Sequence, residues 1–230
     1  MSKKRFTQEQ KLLHHLILHS HDVPTAIGLF DGMTGIMLVL AHYARAHKMP
    51  VIEHVSDYLM EQVTNNVNTA TTLNFDNGLA GIGWALEFLI QHKYMKGCGV
   101  ELTKELDNRL MSLDIHRLSD YTLEEGVLGL FHYVVAHVQG AASQGLEAFD
   151  HQYIKDWMQV LESKYKSFPE ETQWYEMRMI LDAAINGHKP YHLNLKQFIK
   201  PMKCAPSSLL GLRNGLAGYM ELQLHDIYGL

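Results

Sequence analysis

Seven polar residues stand directly before short glycine-led segments, and their side chains are the ones best suited to chemistry or to ligand binding. They are Asp31, Asp76, Asn77, Glu124, Glu125, Arg213 and Asn214. Two carboxylates at a suitable separation can serve as the acid and the base of a hydrolase. Carboxylates and amides before a helix can instead cap its free N–H groups. A third interpretation is a polar funnel that binds a peptide.

Histidine is the other abundant residue type with chemical potential, at 15 copies. His15 and His19 are spaced i, i+4 on the first predicted helix, so they could form half of a metal site or a solvated surface. His42, His132 and His137 lie within apolar segments instead. We expect these three to be hydrogen-bonded residues of the core.

The polar residues belong to a repeat in which each pair leads into a Gly-x-x-Gly step and an apolar run. The first glycines of the steps are Gly32, Gly78, Gly126 and Gly215, at spacings of 46, 48 and 89 residues. The last spacing is close to two periods, so one copy near residue 172 has lost its glycines. Repetition at this length is typical of stacked helix pairs.

Hydrophobic periodicity predicts an inner, all-round apolar helix alternating with an outer, amphipathic one about five times. The predicted Gly-led helices are 32–47, 78–95, 126–139 and 215–228, preceded by a first helix at 7–20. No segment alternates with period two. The predicted fold class is all-α: an α/α toroid, or an open arc of one, as one domain over residues 1–230. Glycine is expected at the helix entries for close backbone approach and for turns with positive φ. The alternative is a plain helical solenoid.

Composition excludes several function classes. A net charge of −5 without a basic stripe argues against nucleic acid. No apolar run is long enough to span a bilayer, and the N-terminus has no signal-peptide pattern. With two cysteines, no disulfide framework is expected. These features predict a cytoplasmic protein.

Two of the repeats carry a family resemblance, Gly78-Leu-Ala-Gly-Ile-Gly-Trp-Ala-Leu86 and Asn214-Gly-Leu-Ala-Gly218. With weaker copies at 32–35 and 126–129, they resemble the glycine repeats of the lanthionine synthetase C-like family over nearly the whole chain. The resemblance implies an α/α toroid. For catalytic members it implies a zinc enzyme that adds a peptide cysteine thiolate to a dehydrated Ser or Thr, which closes a thioether ring.

The sequence departs from that family where the metal is bound. Catalytic members carry a zinc-ligating cysteine two residues before a Gly-x-x-Gly step. The pairs found there in this chain are Phe30-Asp31, Asp76-Asn77, Glu124-Glu125 and Arg213-Asn214. Cys98 follows one Gly-led helix and Cys204 precedes another, so the two thiols are expected at opposite ends of the ring. A helix of about 18 residues is roughly 27 Å long, which sets the distance between those ends. Because zinc needs ligands at about 2.3 Å, we expect no metal cofactor.

The sequence therefore predicts a short, zinc-free and non-catalytic relative whose seven polar residues surround one mouth of the ring. Its expected role is to bind a peptide or a partner enzyme in lanthipeptide-type peptide modification. The alternatives are a hydrolase that uses the mouth carboxylates, a lanthionine cyclase with non-standard ligands, and a scaffold. A ring of about five pairs leaves an open edge, which predicts a homodimer or a partner that covers it.

Overall fold

The structure is a computed structural model that describes residues 7–20, 26–206 and 208–228, with side chains as far as Leu224. Its α-helices in these ranges are α1 (Gln8–His19), α2 (Met33–His47), α3 (Pro50–Asn66), α4 (Leu79–Gln91), α5 (Gly99–Leu102), α6 (Lys104–Met111), α7 (Val127–Ser143), α8 (His151–Ser167), α9 (Thr172–Ile185) and α10 (Leu216–Tyr228). Single 3-10 turns occur at Ile115–Arg117 and Leu195–Phe198. These ranges contain no β-strand, which confirms the all-α class.

The helix boundaries follow the sequence signals in most places. α1 begins with a capping box, in which Thr7 and Gln10 exchange side-chain to backbone hydrogen bonds. α4 is shorter than predicted, because the chain leaves the helix at Gln91 and Lys93 adopts a φ of 61°. The amphipathic segment predicted after α4 is split at Thr103 into α5 and α6.

The chain forms two compact units. Unit 1 comprises residues 1–71, 76–78 and 194–230, and unit 2 comprises residues 72–75 and 79–193. In unit 1, α2 packs between α3 and α10. Every residue of α2 from Met33 to Ala44 is buried, as an inner helix requires. α3 buries a single face through Ile52, Leu59 and Val63, as its amphipathic pattern predicts.

In unit 2, α4 packs on α7, and both helices are buried on nearly every side. α8 covers α9, and α9 also packs on α7. The aromatic and methionine side chains that the sequence assigned to the core, among them Trp84, Phe88 and Phe131, are buried. Fully burying side chains of this size contributes about 1.5–3 kcal/mol each.

α9 does not behave as the fourth inner helix that the repeat predicted. It buries one face, through Trp174, Met177, Leu181 and Ala184. Tyr175 and Met179 on its other face are each 44% exposed. The segment after α9 forms a single 3-10 turn, Leu195–Phe198, in place of an outer helix. The alternation of inner and outer helices therefore fails at this copy.

No helix in the described ranges combines the length and the apolar character that crossing a membrane requires.

Candidate functional site

The four glycine loops, residues 26–32, 72–78, 120–126 and 209–215, share one backbone hydrogen bond. In each copy the first amide of the helix donates to the carbonyl seven residues earlier. The bonds are Met33 N to Ala26 O at 2.8 Å, Leu79 N to Thr72 O at 2.9 Å, Val127 N to Asp120 O at 3.0 Å and Leu216 N to Leu209 O at 2.8 Å. Each loop thus curls back and caps its own helix with main chain, which satisfies one of the four free amides of a helix start.

This curl explains the second glycine in three of the four steps. A Cβ on Gly35 would overlap the carbonyl of Leu29, one on Gly129 that of Leu123, and one on Gly218 that of Leu212. In all three copies the obstructing carbonyl lies six residues before the glycine. The predicted positive φ at the helix entry is wrong, because φ is −116° at Gly32 and −105° at Gly126. Close approach of the backbone is the whole reason for glycine here.

Within unit 1, neighbouring loops are hydrogen-bonded to one another. Leu212 N donates to Phe30 O at 2.6 Å, and Phe30 N donates to Asp76 O at 3.0 Å. The loops touch so closely that a Cβ on Gly28 would lie 2.6 Å from Asp76 O, and one on Gly211 would lie 2.9 Å from Asp31 Oδ1. These bonds and contacts bring Asp31 and Asp76 onto adjoining loops.

Unit 2 repeats the arrangement with one bond of the same kind. Phe75 N donates to Glu124 O at 2.9 Å. The Phe75 side chain is buried, and a Cβ on Gly129 would lie 2.5 Å from its Cβ. Glu124 is therefore held in this unit through its backbone carbonyl. This bond does not set the direction of its side-chain carboxylate.

The predicted site residues fall into two classes of exposure. Those directly before the first glycine are exposed: Asp31, Asn77, Glu125 and Asn214. Those one position earlier, Asp76, Glu124 and Arg213, are half-buried. Arg213 lies over the Phe30 ring, with its Cζ 4.6 Å from the ring centroid. The expectation that all seven surround one mouth stays a prediction.

Two loop carboxylates, those of Asp76 and Asp120, accept hydrogen bonds from residues of their own loops. Asp76 accepts hydrogen bonds from the backbone N–H of Asn77 at 2.6 Å and from its side-chain amide at 2.9 Å. Asp120, which the sequence did not single out, accepts from Thr122 N at 2.8 Å, and this bond lowers the pKa of Asp120. The capping interpretation fails for Asp76, because its carboxylate bonds to Asn77 and not to a helix amide.

A buried ion cluster in unit 2, centred on His137, was not predicted from the sequence. His137 Nδ1 lies 2.7 Å from Glu87 Oε1, and His137 Nε2 lies 3.1 Å from Asp107 Oδ2. Tyr133 OH donates to Asp107 Oδ1 at 2.5 Å, and Gln91 Nε2 donates to Glu87 Oε2 at 2.7 Å. The cluster joins α4, α6 and α7. Its three ionisable side chains are at most 5% exposed, so it cannot receive a substrate in this form.

The cluster holds His137 as a cation. Burial alone would lower the pKa of His137, but hydrogen bonds to Asp107 and Glu87, together with their negative charges, raise it to about 9. Burial and the charge of Asp107 raise the pKa of Tyr133 well above its usual value, which keeps its hydroxyl protonated as a donor. An imidazolium between two carboxylates is the arrangement that makes buried charges tolerable.

The other two core histidines are hydrogen-bonded, as predicted. In unit 1, His42 Nδ1 lies 2.7 Å from Glu221 Oε1, so this pair links α2 to α10. In unit 2, His132 Nδ1 lies 2.7 Å from the hydroxyl of Tyr191, which also accepts from Trp84 Nε1 at 2.9 Å. Burial lowers the pKa of His132 to about 4. His132 is therefore neutral at physiological pH and shares a hydrogen bond with the Tyr191 hydroxyl.

The described residues include no group of three or more His, Cys, Asp or Glu side chains that could hold a metal ion. Both cysteines are free thiols: Cys98 is partly exposed in unit 2 and Cys204 is exposed in unit 1.

Comparison with known proteins found no matching family, no matching curated protein and no matching solved structure.

Proposed function

We propose that the protein is a short, zinc-free toroid of the lanthionine synthetase C type that binds a peptide through its glycine loops. One observation carries the proposal: the residue before the first glycine is polar and exposed in all four loops, as Asp31, Asn77, Glu125 and Asn214. The first amide of each helix already bonds to main chain. All four side chains are therefore accessible to a ligand, although the Asn77 amide also donates to Asp76.

The arrangement of the helices in a toroid is part of the same proposal. The bonds between neighbouring loops support it because they place helix starts side by side within each unit. In unit 1 they are the two described above and a third, from Arg213 N to Phe30 O at 3.2 Å, and in unit 2 there is one. In a linear solenoid each repeat contacts only its neighbours, whereas here the last glycine loop, through Leu212 N, bonds to the first, through Phe30 O. The recurrence of Gly-x-x-Gly in phase supports the same arrangement.

The loop side chains favour an extended peptide with basic residues. Asp31, Asp76, Glu124 and Glu125 supply carboxylates, whereas Arg213 is the one cation among the seven predicted residues. Asn77 and Asn214 add amides that can pair with backbone N–H and C=O groups. In this proposal the protein positions such a peptide for a separate modifying enzyme of a lanthipeptide-type pathway.

A peptide-display selection on the purified protein tests the proposal. The tightest selected peptide is then titrated against wild type, Asp31→Asn, Asp76→Asn and a control variant, Asp57→Asn, at an exposed position on α3. Because an ion pair at an exposed or half-buried side chain is worth about 0.2–1 kcal/mol, each loop variant should weaken binding by up to about fivefold. The control should bind as wild type does. A selection that yields no peptide, or peptides equally bound by all four proteins, refutes the proposal.

A further inference from the structure

Unit 1 contains a cleft that the glycine loops do not form. It has a volume of about 230 Å³ and lies between α1, the C-terminal part of α2 and α10. Tyr43, on its wall, is ten residues after the start of α2, which places it about 15 Å along the helix axis from the glycine loop. None of the eight residues that line the cleft belongs to a glycine loop, so the two proposed sites share no residue.

The inside of the cleft is apolar and aromatic. Leu12, Met220 and Leu224 supply aliphatic surface, and Tyr43 and Tyr219 supply two rings. Tyr43, Met220 and Leu224 are each at most 4% exposed, so most of each of these side chains is packed within unit 1. An apolar cavity of about 150 Å³ accepts benzene. A cleft of this larger volume has room for a two-ring aromatic group.

The polar groups lie at the edge of the cleft, where Gln8 and Glu9 of α1 face Gln223 of α10. Glu9 Oε1 lies 3.1 Å from His47 Nε2, and the His47 ring stacks on Tyr43 with centroids 4.0 Å apart. A carboxylate has two oxygens and about four acceptor sites, so this contact leaves Glu9 able to accept further hydrogen bonds. The edge thus offers one negative charge and two amides beside an aromatic wall.

We propose that this cleft is a binding site for a small aromatic amine, with the ring system between Tyr43 and Tyr219 and the ammonium group at Glu9. The ammonium would donate to the carboxylate and to the amide oxygens of the two glutamines. An aromatic wall also attracts a cation within about 6 Å of its centroid. A carboxylate on the same ring system would be repelled by Glu9, so the site discriminates by charge as well as by shape.

Isothermal titration with tryptamine, indole and indole-3-acetate tests the site, since the three share one ring system and differ in charge. Wild type should bind tryptamine most tightly and indole-3-acetate most weakly. Glu9→Gln should reduce the advantage of tryptamine over indole by about two- to fivefold, as expected for a partly exposed charge pair. Glu61→Gln, an exposed site on α3 in the same unit, should leave the order and the affinities unchanged.

A second variant, Leu12→Trp, fills the cleft from the half-buried face of α1 and should abolish binding of all three probes while the helical circular dichroism is retained. Peptide binding at the glycine loops should survive this change, which separates the two proposals. The proposal is overturned if tryptamine shows no saturable binding at millimolar concentration, or if the three probes bind equally. It is also overturned if Leu12→Trp converts a dimer into a monomer, because the cleft would then be an interface between copies.

Discussion

Replacement of His137 by Gln removes the cation from the buried cluster and leaves Glu87 and Asp107 as two carboxylates in the core of unit 2. Glutamine has nearly the same reach and keeps one amide donor, so the change tests charge more than shape. Breaking a buried ion pair by removal of one partner costs about 3–5 kcal/mol. Typical domains are stable by about 5–15 kcal/mol, so the variant should be severely weakened at neutral pH.

The way in which stability changes with pH identifies the role of His137 more specifically than the loss of stability in the variant does. The pKa of His137 is raised from 6.5 to about 9 in the folded protein. Its contribution to stability is therefore complete below pH 6.5 and is lost as the pH rises to about 9. A shift of this size corresponds to about 3 kcal/mol. Wild type should lose that amount across the interval, whereas His137→Gln should show no such loss.

Urea unfolding followed by circular dichroism at pH 6 to 9.5 measures both quantities. His151→Gln is the matched control, because this histidine is exposed at the start of α8 in the same unit. The control should follow the wild-type curve within about 0.5 kcal/mol. The reasoning is refuted if His137→Gln loses as much stability as wild type above pH 6.5, or if the two proteins are equally stable at pH 6.

Three further substitutions follow from the same structure. Burial lowers the pKa of His132 to about 4, so the free energy of unfolding of wild type should fall by about 3 kcal/mol from this group as the pH falls from 6.5 to 4. In urea titrations, His132→Gln should not show that part of the loss at acid pH. Gly140→Ala should lower the free energy of unfolding, measured in urea, by about 1–3 kcal/mol, because the new methyl group overlaps the Glu87 carboxylate. Helix propensity alone would raise that free energy by about 1 kcal/mol, and such a result would contradict this prediction. Asp150 caps α8 by accepting a hydrogen bond from a backbone amide at 2.7 Å, so Asp150→Ala should lower the free energy of unfolding by about 0.5–2 kcal/mol. The control, Glu147→Ala, changes an exposed residue outside the cap and should have no effect.

The helices could be predicted because apolar periodicity and capping signals are local. The same holds for the core histidines, since His42 and His137 lie in helices that are apolar on every side. Glu87 also carried a signal: it is the lone acid within the apolar run of α4, where only a buried partner makes it tolerable. Asp107 carried none, because α6 is rich in charged residues.

The sequence could not show which residues far apart in the chain pair with one another. The partners of His137 lie 50 and 30 residues away, and no spacing rule connects them. The repeat also did not reveal that α9 exposes one face, where Tyr175 and Met179 are each 44% exposed. The loop hydrogen bonds that cap the Gly-led helices are backbone features, so side-chain types did not reveal them.

Unit 1 is assembled from segments far apart in the chain, and this sets the order in which the protein can mature during synthesis. His42 and Glu221 are separated by 179 residues. At about 5–20 residues per second, α2 leaves the ribosome roughly 9–36 s before α10 has been made. Residues 79–193 of unit 2 form one continuous stretch and can fold within that time. Until α10 is made, the apolar part of α2 that packs on α10 in unit 1 stays uncovered, so nascent chains halted before residue 216 should be the ones that chaperones retain.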